Sequence, residues 1–234
     1  KESLSVTELL AGENEKFVVM LDEFQDMENL GIDFEKAFRA NVQQMKKTSF
    51  LIAGSQVSIM RKLMHSSASP LYNMFVVKYV EELTEKESTE FLKERFKKAG
   101  FEINAEAIQE IIKLTNSNPY HLQWLGRACL FKANDKRITS EVVNNAFMWA
   151  IREQAGHLEY AYSQLKGKNR AIITACVKLG PIEPIEIAKE LHEESDNIRP
   201  FLPNLIDEGY LMKTEAKYKL RDPVLEEYVK RKII

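Results

Sequence analysis

Two neighbouring carboxylates, Asp22 and Glu23, follow an unbroken apolar run from Phe17 to Leu21. An apolar run of this length with β-branched members predicts a buried strand. Because parallel α/β sheets bind ligands beyond the carboxyl ends of their strands, both acidic side chains are expected at a ligand-binding edge. There an Asp can bind Mg²⁺, often through water, and a Glu can orient or deprotonate an attacking water. The alternative is a solvated acidic loop after a buried strand.

A second polar signal follows the next predicted strand, Ser49 to Ala53, which stops at Gly54-Ser55. Strand, helix and strand over about 35 residues predict a βαβ unit with parallel strands. The apolar residues that indicate the intervening helix are Phe34, Ala37, Phe38, Val42 and Met45. The strand that ends in Asp-Glu has the Walker B pattern of P-loop ATPases, so Ser55 is expected to point at the γ-phosphate. Taken alone, Gly54-Ser55 fits a turn that closes a strand equally well.

From Thr84 onward only helices are indicated for about 70 residues, so we expect the strands of the sheet to end before it. Thr84 and Glu87 have the spacing of a capping box. Asn118-Pro119 has the pattern of an N-cap followed by a first-turn proline. His121, on that helix, is expected to be a packed or surface histidine. This region is predicted to be a small helical domain.

The C-terminal residues combine three helical segments with a hairpin. Tyr210–Lys213 and Lys217–Leu220 alternate apolar and polar residues around a three-residue turn, and Asp222-Pro223 opens a final helix. Three helices followed by a hairpin are the element order of a winged helix-turn-helix.

Composition excludes several classes of protein. The 234 residues include 33 Lys and Arg against 35 Asp and Glu, for a formal net charge of −2. No overall positive field would therefore draw the chain to nucleic acid or to an anionic membrane. Its apolar runs fall short of the roughly 20 residues of a spanning helix and no signal-peptide pattern is present, so we expect a cytoplasmic protein without membrane contact. Cys129 and Cys176 lie in helical apolar patterns and are expected to be buried free thiols.

Five segments of the chain form an ordered set: Phe17–Gln25, Phe50–Ser55, Ser69–Tyr72, Thr115–Tyr120 and Tyr218–Pro223. In this order they resemble the signatures of the archaeal-type ATPase family, which belongs among the AAA+ and signal-transducing (STAND) P-loop NTPases. The resemblance covers essentially the whole chain. It implies an α/β P-loop NTPase core with a partial parallel sheet in residues 1–80, an all-α helical lid in residues 81–158 and a winged helix-turn-helix domain in residues 159–234.

The resemblance also implies roles for single residues. It assigns Mg²⁺ binding to Asp22, activation of water to Glu23 and sensing of the γ-phosphate to Ser55. Pro119, with Tyr120 beside it, matches the lid position that lies against adenine. ATP and Mg²⁺ are the implied cofactors. Pro119 also serves as the first residue of a helix, and both roles are compatible.

The chain departs from the family pattern in three places. The Walker A loop, G-x-x-x-x-G-K-[ST], is absent from these 234 residues. We therefore expect the phosphate cradle to come from an upstream segment or from a partner chain, and we expect association, including homo-oligomers, where strand edges are exposed. Asn73-Met74 stands where members commonly have Gly-Arg, and glycine is replaced around Asn116-Ser117.

Nucleic-acid binding has little support in the C-terminal residues. The segment Ser195–Leu205, which would contain a recognition helix, has one arginine, Arg199, and two prolines. DNA-reading helices present several basic and polar residues. The hairpin lysines, Lys213, Lys217 and Lys219, are the remaining candidates for DNA contact. Docking to protein, or packing within the chain, is the favoured alternative.

Two functions follow from these observations. The first is an ATP-binding P-loop ATPase of the archaeal/STAND type that acts as an ATP-controlled regulatory switch, inactive in hydrolysis without a Walker A segment. The second is a non-catalytic winged-helix interaction module with a degenerate ATPase half, whose partner is a protein client or DNA.

Overall fold

The computed structural model describes residues 2–13 and 15–233 and divides the chain into two compact units, residues 1–79 and 80–234. Within the described ranges, no helix is long and apolar enough to cross a membrane.

The first unit is built on two parallel strands. Its elements are α1 (Glu2–Leu10), β1 (Phe17–Leu21), a 3-10 helix (Phe24–Leu30), α2 (Ile32–Val42), β2 (Thr48–Ile52) and α3 (Val57–His65). Strands β1 and β2 pair in parallel, with Phe17 opposite Thr48 and Leu21 opposite Ile52. The predicted βαβ unit is therefore confirmed. Helix α3 was not predicted, although its apolar residues recur at helical spacing, and no side chain caps its start after the Gly-Ser turn.

One face of this sheet carries the core of the first unit. Phe38 of α2 is fully buried and its ring lies 5.4 Å from Phe24 and 5.6 Å from Phe50. The side chains on the opposite face of the strands are exposed, because strand residues alternate between faces. They include Val18 (60% exposed), Met20 (72%) and Leu51 (57%).

The second unit is mostly helical. Its helices are α4 (Glu85–Lys98), α5 (Ala105–Thr115), α6 (Pro119–Lys132), α7 (Ser140–Glu153), α8 (Ala155–Gln164), α9 (Gly167–Leu179), α10 (Pro184–Glu190), α11 (Phe201–Asp207) and α12 (Pro223–Ile233). Its strands are β3 (Glu102–Ile103), β4 (Arg137–Ile138), β5 (Leu211–Thr214) and β6 (Lys217–Leu220), and a 3-10 turn spans Ser195–Asn197.

Side-chain caps start several of these helices as the sequence indicated. The Thr84 hydroxyl accepts a hydrogen bond from the Glu87 N–H, and the Glu87 carboxylate accepts one from the Thr84 N–H. The Asn118 side chain accepts from the N–H groups of Tyr120 and His121, ahead of Pro119 at the first turn of α6. These caps satisfy backbone donors that have no partner within the helix.

Two expectations about strands were wrong. A short parallel pair, β3 with β4, lies within the region where only helices were predicted. Each strand has two residues, too few for an alternating pattern, and Ile138 is buried in the helical core. The hairpin turn has two residues rather than three, because Thr214 pairs with Lys217 and Glu215 takes a left-handed φ of 56°.

A single hydrophobic core runs through the second unit. It extends from Leu92 of α4 to Val229 of α12. Helices α4–α8 and the elements from α9 onward thus share one continuous core. Both cysteines lie in it, as predicted, and burial raises the pKa of the Cys129 and Cys176 thiols to about 12.

Candidate functional site

The candidate site lies in the first unit, where β1 and β2 both end. Backbone hydrogen bonds continue the strand pairing past the last paired residues: the Ala53 N–H donates to the Leu21 carbonyl at 2.9 Å, and the Phe24 N–H donates to the Ala53 carbonyl at 2.8 Å. This pairing places Asp22 and Glu23 beside Ser55. Glu23 and Ser55, which are 32 positions apart in the sequence, thus meet at one edge of the sheet, as parallel strands require.

Glu23 is the centre of a small hydrogen-bond network. Its Oε2 accepts a hydrogen bond from the Ser55 hydroxyl at 2.9 Å and another from the Gln25 side-chain amide. These two bonds, that of Gln25 first, hold the pKa of Glu23 below its usual value. Glu23 is therefore ionised at neutral pH. Its φ of 49° is left-handed and costs an L residue roughly 1–2 kcal/mol, and such strain clusters at functional sites.

Gln25 is a member of the site to which its sequence pattern assigned no role. Its side chain is buried, its amide lies 3.4 Å from the Ser55 hydroxyl, and its Oε1 has no hydrogen-bond partner among the described residues. An isolated Gln after an acidic pair carries no periodic signal. Only its proximity to Glu23 and Ser55 in space identifies it.

Asp22 is exposed next to this network. Its Oδ1 accepts the Glu23 N–H at 2.9 Å. Among the described residues no three His, Cys, Asp or Glu side chains cluster as a metal cage. Mg²⁺ usually needs only one or two carboxylates, with waters and phosphate oxygens completing its shell. A single exposed Asp at a strand end fits that mode of binding.

The positions that depart from glycine in the family pattern keep a glycine-like backbone. Asn73, Asn116 and Ser117 have φ values of 55°, 49° and 58°. Asn tolerates this left-handed region better than most residues, whereas Ser117 has no such preference. These residues therefore allow the same backbone conformation that glycine would adopt.

In the segment Ser69–Tyr72, the Pro70 carbonyl accepts a hydrogen bond from Arg39 at 2.5 Å.

Pro119 and Tyr120 lie in the second unit. Pro119 is exposed at the start of α6, and Tyr120 is 63% exposed, with its hydroxyl accepting a hydrogen bond from the Gln154 amide at 3.4 Å. The next residue, His121, is packed between the rings of Tyr120 and Trp124. Its Nε2 lies 3.8 Å from Oδ1 of Asp222.

The basic residues considered for nucleic acid do not form one surface. Lys217 and Lys219 share one face of the hairpin, whereas Lys213 lies on the other, with its ammonium 5.6 Å from the Tyr218 ring. Arg199 precedes α11 and donates to the Ser195 hydroxyl at 3.2 Å.

No protein-family model and no curated protein sequence matched the chain. Comparison with solved structures found a Walker-type ATPase of Pyrococcus abyssi, with a TM-score of 0.73 and 20% identity, over 92% of this chain and 63% of that one. The chain thus spans less than two thirds of that ATPase. The Holliday junction branch migration motor RuvB of Thermotoga maritima matches with a TM-score of 0.50 and 18% identity, over 94% of this chain and 71% of that one. A mutant of the same RuvB gives a TM-score of 0.51 at 18% identity, over 88% and 68%.

These similarities agree with the parallel strands and the mostly helical second unit. At such low identity they establish the fold alone. The chain shares the fold of the matched part of the Walker-type ATPase of Pyrococcus abyssi.

Proposed function

We propose that this chain belongs to an ATP-binding, Mg²⁺-dependent P-loop ATPase of the archaeal/STAND type that works as an ATP-controlled regulatory switch. The observation that carries the proposal is the meeting of Asp22, Glu23 and Ser55 at the carboxyl ends of two parallel strands. This arrangement supports the proposal that Asp22 and Glu23 are the Walker B acids and that Ser55 is the residue at the γ-phosphate.

Each of the three residues has a chemical part in this proposal. Asp22 would hold Mg²⁺, which when bound neutralises charge on the phosphate oxygens. Glu23, ionised through its bonds to Ser55 and Gln25, would accept a hydrogen bond from the attacking water and orient it. The Ser55 hydroxyl is a donor that can serve either Glu23 or a phosphate oxygen.

The phosphate cradle would come from a P-loop segment or partner chain outside these 234 residues. The uncovered sheet face with Val18, Met20 and Leu51 supports this idea, since parallel sheets are normally covered on both faces. The strand of a segment carrying the Walker A loop would pair at an edge of the sheet, and its helix would cover this face and complete the composite site. Homo-oligomers are a further way of covering it.

The remaining assignments extend the proposal to the second unit. Residues 81–158 would be the lid, with Pro119 and Tyr120 against the adenine, and residues 159–234 a winged helix that docks a protein client. The exposure of Tyr120 supports a role in ligand contact. We propose that the protein acts in the cytoplasm.

The test is ATP–Mg²⁺ binding by the native gene product, whose intact mass is measured first. If it carries a Walker A loop, we expect Asp22→Asn to weaken Mg²⁺-dependent binding at least tenfold, the loss of about 1.4 kcal/mol. Glu23→Gln should retain ATP and stop its turnover. Asp33→Asn, which removes an exposed carboxylate from α2, is the matched control and should bind as the wild type does. The proposal fails if the native product binds no nucleotide, or if Asp22→Asn and Asp33→Asn behave alike.

The second candidate, a non-catalytic winged-helix module for protein contact, is favoured by one observation. Helix α11 has seven residues, Phe201–Asp207, and contains neither Lys nor Arg. A helix of this composition suits protein contact better than DNA. In this case duplex binding should stay near zero at every salt concentration and be unaffected by charge reversal at Lys217 and Lys219.

A further inference from the structure

A groove of about 620 Å³ lies on the second unit between α4 and α6. The lining that defines this α4–α6 groove includes Leu92, Arg95 and Phe96 of α4 and Leu122, Gly126 and Arg127 of α6. Leu92, Phe96 and Leu122 are buried at its base. Its volume lies within the range of natural binding pockets, and none of its lining residues belongs to the Asp22–Glu23 network.

Gly126 keeps the groove open. It lies in the interior of α6, where glycine costs about 0.5–1 kcal/mol relative to alanine. A Cβ at this position would meet only the Phe96 ring, at 3.9 Å, which is ordinary van der Waals contact. No neighbouring backbone therefore requires a glycine here. Gly126 therefore lowers the stability of helix α6, and because it has no side chain the groove stays open beside Phe96.

The charge of the groove has one sign. Arg95 and Arg127 line it, and none of its lining residues is acidic. The Arg95 guanidinium lies 5.3 Å from the Phe91 ring and that of Arg127 lies 5.8 Å from the Phe131 ring. Glu94 lies outside the lining and pairs with Lys98, and Arg95 contributes to the lowered pKa of that carboxyl only after Lys98. The aromatic rings hold the two cations in place while their N–H groups stay available to an anionic partner.

We propose that the α4–α6 groove is a docking site for an acidic amphipathic helix of a partner protein. Apolar side chains at positions i and i+4 of that helix would lie over Leu92, Phe96 and Leu122, in the helix-in-groove mode. Its carboxylates would bind Arg95 and Arg127. Complementary charge and the apolar base argue for this occupant. A nucleic-acid strand fits less well, because only two cations, Arg95 and Arg127, line the groove, too few to track a phosphate backbone.

The experiment titrates the 234-residue chain with a synthetic 14-residue helical peptide that has Leu at i, i+4 spacing and Glu elsewhere. Trp124 lines the groove, so its fluorescence, in a Trp149→Phe background, reports occupancy directly. We expect a saturable blue shift. The same peptide with Lys in place of Glu should produce none.

Three variants locate the binding. Gly126→Leu fills the groove, and the pair Arg95→Glu with Arg127→Glu reverses its charge, so each should weaken binding at least tenfold. The pair Lys93→Glu with Lys113→Glu makes the same charge change at exposed positions outside the groove and should leave binding within about twofold, since screened surface charges contribute little. Gly126→Ala, which introduces no close contact, should remain folded and confirms that the helix tolerates a side chain there.

The proposal is overturned if the acidic peptide does not saturate, if it binds Gly126→Leu as tightly as the wild type, or if the lysine peptide binds equally well. It is also overturned if a 15-residue thymidine oligonucleotide binds in its place and is lost in the same two variants. Thermal melting of every variant separates loss of binding from loss of fold.

Discussion

Among single residues, Gly54 is tightly constrained by the candidate site. A Cβ built on Gly54 would lie 2.4 Å from Oε1 of Gln25 and 2.7 Å from the Met60 sulfur. Gln25 is buried and donates to Glu23, so any displacement of Gln25 reaches the carboxylate. The glycine that ends β2 is therefore part of the arrangement of Glu23, although it bears no functional group.

We predict that Gly54→Ala lowers the free energy of unfolding by about 1–2 kcal/mol, as overpacking does, and raises the pKa of Glu23 by loosening the Gln25 bond. Urea denaturation and the carboxylate chemical shift of Glu23 measure the two effects. Gly156→Ala is the control, because a Cβ there meets nothing within 4 Å in helix α8 and should add helix propensity. Equal effects of the two substitutions would contradict the argument.

Ser117 is a second residue whose backbone can be tested directly. It is buried and has a left-handed φ of 58° without a residue type that favours it. Ser117→Gly should raise the free energy of unfolding by about 0.5–1 kcal/mol, because relief of strain exceeds the extra entropy of the unfolded glycine. Ser117→Ala keeps the Cβ and should bring no gain. A stability gain for alanine equal to that for glycine would show that strain is not the cause.

Between elements, His121 near the start of α6 lies close to Asp222, the residue that caps α12. Oδ1 of Asp222 accepts hydrogen bonds from the Val224 and Leu225 N–H groups at 2.8 and 3.1 Å, and so caps α12. The same oxygen lies 3.8 Å from His121 near the start of α6. Burial lowers the pKa of His121, and the Asp222 carboxylate offsets part of that shift.

The pKa of His121 makes stability depend on pH. The unfolded chain binds the imidazole proton at about its ordinary pKa of 6.5, whereas the folded chain binds it only at lower pH. Below pH 6.5 the folded state therefore carries fewer protons than the unfolded state. The free energy of unfolding keeps its full value above pH 6.5 and falls as the pH drops towards the pKa of His121 in the folded chain. Carboxyl groups whose pKa is lowered, such as Glu159, change the stability of the fold only below their ordinary pKa of 4.5, so they do not affect this pH range.

We predict that acidification from pH 7.5 to 5.5 lowers the melting temperature of the wild type more than that of His121→Gln, which has no imidazole to protonate. Asp222→Asn retains a capping oxygen but removes the charge, so its loss on acidification should exceed that of the wild type. Thermal melts of the three proteins across this range measure the differences. Parallel pH profiles for the wild type and His121→Gln would refute the assignment.

Other contacts between elements bear on the hairpin. Arg221, which follows β6, donates to the Glu82 carboxylate at 3.0 and 3.1 Å. Tyr228 of α12 donates to Glu159 of α8 at 2.5 Å, and Lys232 binds the same carboxylate. These bonds tie the C-terminal elements to the preceding helices. The basic side chain nearest the end of the hairpin, Arg221, is therefore already engaged within the chain, whereas Lys213, Lys217 and Lys219 are exposed or half-exposed.

For the molecule as a whole, the uncovered sheet face of the first unit predicts association. Val18, Met20 and Leu51 expose apolar surface that would be removed from water in a larger assembly, a gain of roughly 25 cal/mol per Å². The sedimentation coefficient of the chain should therefore rise with concentration. Met20→Lys combined with Leu51→Lys should suppress that rise.

The control for this prediction places the same charges on the second unit. Leu179→Lys combined with Ile185→Lys changes two side chains of comparable exposure, 50% and 51%. It should leave the association of the chain unchanged. A monodisperse wild type at high concentration, or equal suppression by both pairs, would contradict a role for the sheet face.

Local sequence determined the elements whose signals are themselves local. The strand Phe17–Leu21, the cap at Thr84 and the Asn118-Pro119 start of α6 depend only on neighbouring residues, and all three form as predicted. The expectation that the strand is buried was wrong, because Val18 and Met20 are exposed on one face of the sheet. The strands β3 and β4 are too short to show a period, and α3 has apolar residues at helical spacing but no capping side chain, so these three elements were not predicted. Two residues are too few to show a period, and a helix without a cap has no marked beginning.

The tertiary structure alone decided which distant residues meet. Gln25 joins Glu23 and Ser55 because parallel pairing brings two strand ends to one edge. Lys213 is separated from Lys217 and Lys219 because the register of a two-residue turn assigns alternate residues to opposite faces. Gly126 is a groove residue only because α4 packs beside α6. The sequence specifies the type of each side chain directly. Which side chains lie close together depends on strand register and helix packing, and these involve residues far apart along the chain.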